Sequence, residues 1–141
     1  MGDVRSEILS DVRGDSLVEF ALFLPTLLLI LMGIFDVGRA FYTHNVITNA
    51  AREGARYGVV HPSSSVQDVV DAAREFMVGL DEDDLTITAA CFTTETIRVE
   101  ITYDFYVVTP LVAQFLSDQD HLTLSSVATM YAEGPCNLTE E

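Results

Sequence analysis

The sequence predicts an α+β chain: a long N-terminal transmembrane helix that continues into a small head, the head holding a second helix and an antiparallel sheet of about three strands. Three observations carry this reading. Residues 20–35, FALFLPTLLLILMGIF, hold no charge. Helical spacing continues beyond them as far as Gly58. Ile97, Val99, Ile101, Tyr103, Phe105 and Val107 alternate with Arg98, Glu100, Thr102, Asp104 and Tyr106, the period of a strand. Charge divides the 141 residues along the same line. The chain has 22 acidic and 7 basic residues, net −15, and every basic residue is arginine. Residues 1–60 hold 5 arginines against 7 acids, whereas residues 61–141 hold 2 against 15. Such acidity repels phosphate backbones and argues against a nucleic-acid partner. A content of 49 % apolar residues argues against a disordered chain.

The first element is the apolar run. Its 16 residues make about 24 Å of helix, and extension back to Leu17 gives about 28 Å, close to the roughly 30 Å of bilayer hydrocarbon. Eleven of the 16 are Leu, Ile or Phe, contributing roughly −3 to −7 kcal/mol toward insertion. The alternative is a buried core helix, but 141 residues could hardly wrap one on every side. Pro25 is compatible with a span. A cleaved secretory signal fits poorly, because Asp3, Glu7, Asp11, Asp15 and Glu19 precede the run and Asp36-Val37-Gly38-Arg39 follows it in place of a small-x-small site.

The helix is expected to continue into water. Val37, Ala40, His44, Ile47, Ala51, Gly54 and Gly58 recur at alternating spacings of three and four, one stripe of a helix. Ala51, Gly54, Ala55 and Gly58 are small enough to let another backbone approach closely, and are the helix-packing candidates. From Asp15 to Tyr57 the helix would be about 65 Å long.

The head follows the break at His61-Pro62-Ser63-Ser64-Ser65. Ser65 is the expected N-cap of the second helix, with Asp68 as its first-turn acid. Val66, Val69, Val70, Ala73, Phe76 and Met77 form its apolar face, and Gly79 its stop. Asp81 to Asp84 read as a solvated acidic turn, lacking the spacing and glycine of a calcium loop. Leu85, Ile87, Ala89 and Cys91 lie on one face of a first strand. After a turn at Thr93-Thr94-Glu95 comes the second strand, ended by Pro110. Leu111 to Leu116 can form a turn of helix. Leu122, Leu124, Val127 and Met130 mark a third strand, and the change of apolar parity between Leu124 and Val127 predicts a bulge near Ser125-Ser126. The tail from Gly134 is expected to be loose.

Few residues in this pattern point to chemistry. Cys91 and Cys136, the one cysteine pair, permit a disulfide in an exported domain, and two unrelated thiols are the other reading. With the second strand central, only the tail could bring Cys136 across to the first. Asn137-Leu138-Thr139 fits a glycosylation triplet that also occurs by chance. His44, His61 and His121 fall in different elements without ligand spacing, so no metal site is expected. There is no phosphate loop, nucleophile elbow or spaced Cys/His pair, and neither an enzyme nor a cofactor is expected.

Glu19 stands out as a carboxylate at the edge of a membrane span. It either complements the helix dipole in the first turn and reaches the headgroups, or it meets a cation from another chain. Its setting is Arg13-Gly14-Asp15-Ser16-Leu17-Val18-Glu19-Phe20-Ala21-Leu22. Pro25, then Gly33-Ile34-Phe35-Asp36-Val37-Gly38-Arg39-Ala40 and Asn49-Ala50-Ala51-Arg52-Glu53-Gly54-Ala55-Arg56-Tyr57-Gly58 follow. This series resembles the TadE-like pseudopilins of tight-adherence (Flp) type IV pili, closely over residues 13–58.

The resemblance implies a leader, residues 1–14, cut by a prepilin peptidase between Gly14 and Asp15. It implies that Glu19, then the fifth residue, meets the free N-terminal amine of a neighbouring subunit. The division becomes leader 1–14, long helix 15–58 with its first half in the membrane, extracytoplasmic head 59–136 and tail 137–141. The expected function is that of a single-pass, membrane-anchored minor pilin or pseudopilin of pilus assembly. Its partners would be membrane lipid, other pilin subunits, pilus assembly proteins and the prepilin peptidase. The competing readings are an anchored extracellular binding module and a self-polymerising filament subunit.

Overall fold

The computed structural model describes residues 4–61, 63–109, 121–132 and 134–138. Helix α1, Val4–Val60, is continuous through Gly14 and Pro25. Helix α2, Val66–Arg74, begins at a full capping box, the Ser65 hydroxyl accepting from Asp68 N and the Asp68 carboxylate accepting from Ser65 N. Strands β1 (Leu85–Thr93), β2 (Thr96–Tyr106) and β3 (His121–Tyr131) form an antiparallel sheet in the order β1-β2-β3. The fold is α+β, as expected.

The sheet lays one face along the upper half of α1. β2 runs down the helix in the opposite direction, and three contacts fix the alignment. Ile97 lies beside Gly58, Phe105 lies under the Arg39 guanidinium at 5.1 Å, and Thr109, just past β2, bonds to Asp36. About 33 Å of helix and about 40 Å of extended chain separate the two ends of this seam. Ile47, Ala51, Val69, Ala73, Ile97, Val99 and Ile101 are at most 1 % exposed and form the core between α1, α2 and the sheet.

Four expectations need correction. β3 has no bulge at Ser125-Ser126, because its pairing with β2 runs unbroken from Thr96↔Tyr131 to Tyr106↔His121. Ser126 takes the inner-face place, and Val127, opposite Glu100, faces solvent at 47 % exposure. The register slips instead in β1, between Cys91 and Thr93. Phe76 is exposed, because α2 ends at Arg74, short of the stop expected at Gly79, and the chain leaves the helical face that would have buried it. The tail is tied down as far as Leu138, which packs on the core. Pro110, the helical turn at Leu111 to Leu116, and Thr139 of the glycosylation triplet lie outside the described residues.

The fourth correction concerns α1. Val37 and His44 are exposed, and the helix buries Asp36 and Thr43 in their place, above which Ile47, Ala51, Gly54 and Gly58 follow the expected stripe. A seven-residue repeat drifts by about 20° per heptad around a straight helix. Three heptads below Gly58, the buried line has therefore moved toward the preceding residue.

Candidate functional site: the anchor helix and its junction with the head

The lower part of α1 is a bare apolar cylinder. No residue in the most hydropathic stretch of the helix is buried, and Phe20, Leu22, Phe23 and Phe35 are each more than 60 % exposed. Such a surface calls for lipid or other helices around it. Asp15, Val18, Glu19 and Leu22 border one shallow hollow at its lower end, and both carboxylates are exposed. The helix thus sets Asp15 and Glu19 about one turn apart, both exposed.

The small residues of the upper half are used inside the head. Ala51 and Ala55 are fully buried. A Cβ added at Gly54 would stand 2.9 Å from the Ala73 Cβ and 3.3 Å from Val69 O, so only glycine allows α2 to cross at this distance. At Gly58 a Cβ would meet Ile97 Cδ1 at 3.0 Å and Val69 Cγ2 at 3.3 Å. These four positions lock α1 to α2 and β2, which leaves the opposite face of the helix free.

At the top of the apolar cylinder sits a group that sequence reasoning missed. Asp36 is 7 % exposed, and its carboxylate accepts from Thr109 N at 2.8 Å and Val108 N at 3.3 Å. The Arg39 guanidinium, one turn on, stands 3.7 Å away. Burial works against the charge of Asp36. The Thr109 and Val108 N–H groups and the Arg39 guanidinium outweigh it and hold the carboxyl below its ordinary value of 3.8. The signal was present in the sequence: a lone acid directly after an apolar run, inside a helix, with an arginine at i+3. It reads as a membrane-boundary residue until the fold shows strand backbone beside it.

Cys91 and Cys136 are joined by a disulfide, with their Cα atoms 5.9 Å apart. β2 does separate β1 from β3, and the tail is what crosses. Ala132 N donates to Glu95 O and Cys136 N to Thr94 O, so the chain passes around the β1–β2 turn before reaching Cys91.

A groove of about 490 Å³ lies between the end of α1 and α2, rimmed by Glu53, Asp68, Asp71 and Glu75. Three of these acids are already engaged, Glu53 by Arg56, Asp71 by Arg74 and Asp68 by Ser65. His61 stacks on Tyr57, His44 is exposed on α1, and His121 lies beside Asp104. Among the described residues no group of three His, Cys, Asp or Glu side chains could hold a metal ion.

Comparison with known proteins agrees with the helix. Residues 14–56 match the family model of TadE-like proteins, covering the lower cylinder, Asp36 and, of the small residues, Ala51, Gly54 and Ala55. No curated protein and no solved structure matches the chain.

Proposed function

We propose, from the premise that residues 14–56 of this chain are TadE-like, that it is a membrane-anchored minor pilin or pseudopilin acting in assembly of a tight-adherence pilus. The observation that carries the proposal is the coincidence of that match with an uncovered apolar helix whose far half is locked into a compact head. The chain works by packing, first in lipid and then against the helices of other subunits.

The lower end of α1 supports a specific mode of joining. Cleavage by the prepilin peptidase after Gly14 would leave a charged amine on Asp15, with Glu19 about 6 Å further along the axis. A neighbouring helix displaced by roughly one turn would bring its own amine level with Glu19. Each charge would then enter the apolar bundle paired, and a lone buried carboxylate would be costly. The head would remain outside the cytoplasm with its acidic surface in the medium. The test is Glu19→Ala in the native host. Insertion should be unchanged while incorporation and surface piliation fall. Normal piliation in both this variant and a deletion strain would count against a role in the pilus and favour an anchored binding module.

A further inference from the structure

We propose that the membrane-proximal end of the head is itself embedded in the headgroup layer of the bilayer, so that the chain meets lipid through the end of β2 as well as through α1. The inference rests on the reading of residues 17–35 as a membrane span. Asp36 is the first residue beyond that span and so marks the upper boundary of the hydrocarbon. The hydrogen bonds from Val108 and Thr109 to its carboxylate draw the chain past β2 down to the same boundary. There Val108 is 59 % exposed, a large apolar side chain that the head does not cover.

The heights of the neighbouring aromatics agree from two separate elements. On α1, Phe41 and Tyr42 are 68 % and 55 % exposed and stand about 8–9 Å above Asp36. On the strand side, Tyr106 is 49 % exposed and stands about 10 Å above Thr109. The interfacial layer on each side of the hydrocarbon is roughly 5–8 Å deep. Tyr42, whose hydroxyl donates to Val78 O, and Tyr106 therefore fall at or just beyond its outer edge, near the level where amphipathic rings concentrate, and Phe41 adds apolar surface at the same height. Arg39 carries its half-exposed guanidinium between these levels, at the height of the lipid phosphates. The head bears most of the chain's negative charge, so insertion of these apolar groups rather than attraction to anionic lipid drives the contact, and a zwitterionic bilayer suffices.

The chain contains no tryptophan, so a single introduced indole reports one position. The full chain is reconstituted in phosphatidylcholine vesicles containing lipid brominated high on the acyl chain. Four variants are compared: V108W and Y106W at the proposed contact, L28W within the span, and Y131W. Tyr131 is 81 % exposed and pairs with Thr96 at the opposite end of the sheet. The expected result is quenching of V108W several-fold stronger than that of Y131W, with blue-shifted emission, and an intermediate value for Y106W. Both contact sites are at least half exposed or nearly so, and Y106W keeps the test readable should V108W not fold. V108W and Y106W quenched no more than Y131W, with L28W strongly quenched, would show a head clear of the bilayer and overturn the proposal. Absence of quenching at L28W would instead overturn the span itself, and the proposal with it.

Discussion

Replacing Asp36 by alanine removes one side chain from a helix and should release the far end of a strand. Thr109 is 2 % exposed, and its N–H reaches the Asp36 carboxylate at 2.8 Å. A buried N–H left without an acceptor costs about 1–3 kcal/mol. Val108, at 3.3 Å and half exposed, can recruit water and adds little. Because each 1.4 kcal/mol or so is a factor of ten, exchange of the Thr109 amide should quicken by roughly 5- to 150-fold in D36A. The amides of Val99 and Ile101, in the middle of β2, should be unaffected. D36N keeps one acceptor oxygen and should show a smaller change. The measurement is hydrogen exchange of the full chain in nanodiscs; an unchanged Thr109 amide in D36A would refute the clamp. The same carboxyl sets a pH dependence. Its folded value lies below 3.8, so the stability it contributes is complete above 3.8 and is lost as pH falls through the folded value. The gap in melting temperature between parent and D36A should therefore close on acidification below 3.8.

Two further outcomes follow from the packing. Gly54→Ala forces a Cβ to within 2.9 Å of Ala73, whereas Gly38→Ala meets nothing within 4 Å. Both gain the same helix propensity of about 1 kcal/mol, so G54A should be less stable than G38A by the overpacking cost alone, about 1–3 kcal/mol. Equal melting temperatures would mean that α2 does not cross α1 at this distance. Removing the Cys91–Cys136 bridge opens a loop with a sequence separation of 45 residues. In the chain-entropy account its loss lowers stability by about 3–4 kcal/mol. Denaturant unfolding of the C91S variant measures this, and two titratable thiols in unreduced parent protein would remove the bridge from consideration.

The parts of the fold that sequence made legible are those where one physical signal acts alone. The uncharged run from Phe20 to Phe35 has no use outside an apolar medium. The Ser65–Asp68 pair is a cap written in two residues, and β2 alternates because one of its faces is buried along its whole length. The illegible parts are those where a polar residue is buried or an apolar one exposed. Asp36 and Thr43 took the places assigned to Val37 and His44, since strand backbone and the drift of the repeat decide that face and neither is visible in local hydropathy. Val127 suggested a bulge only because a valine was assumed to face inward, and Ser126 fills that inner place instead. The candidate site divides in the same way. Gly54 and Gly58 were recognisable as close-approach positions, but only the fold shows that α2 and Ile97 occupy them. Asp36 had a sequence signature whose meaning depended on residues more than 70 positions away.

We propose that this chain is processed and assembled as a pilin-like subunit. The intact mass of the mature protein, isolated from the membrane or from sheared filaments, tests it most directly. The expected mature chain begins at Asp15 and carries Glu19 as its fifth residue. A membrane-bound mature chain that still carries the residues up to Gly14 would contradict it, and would leave a head held to the membrane by an anchor alone.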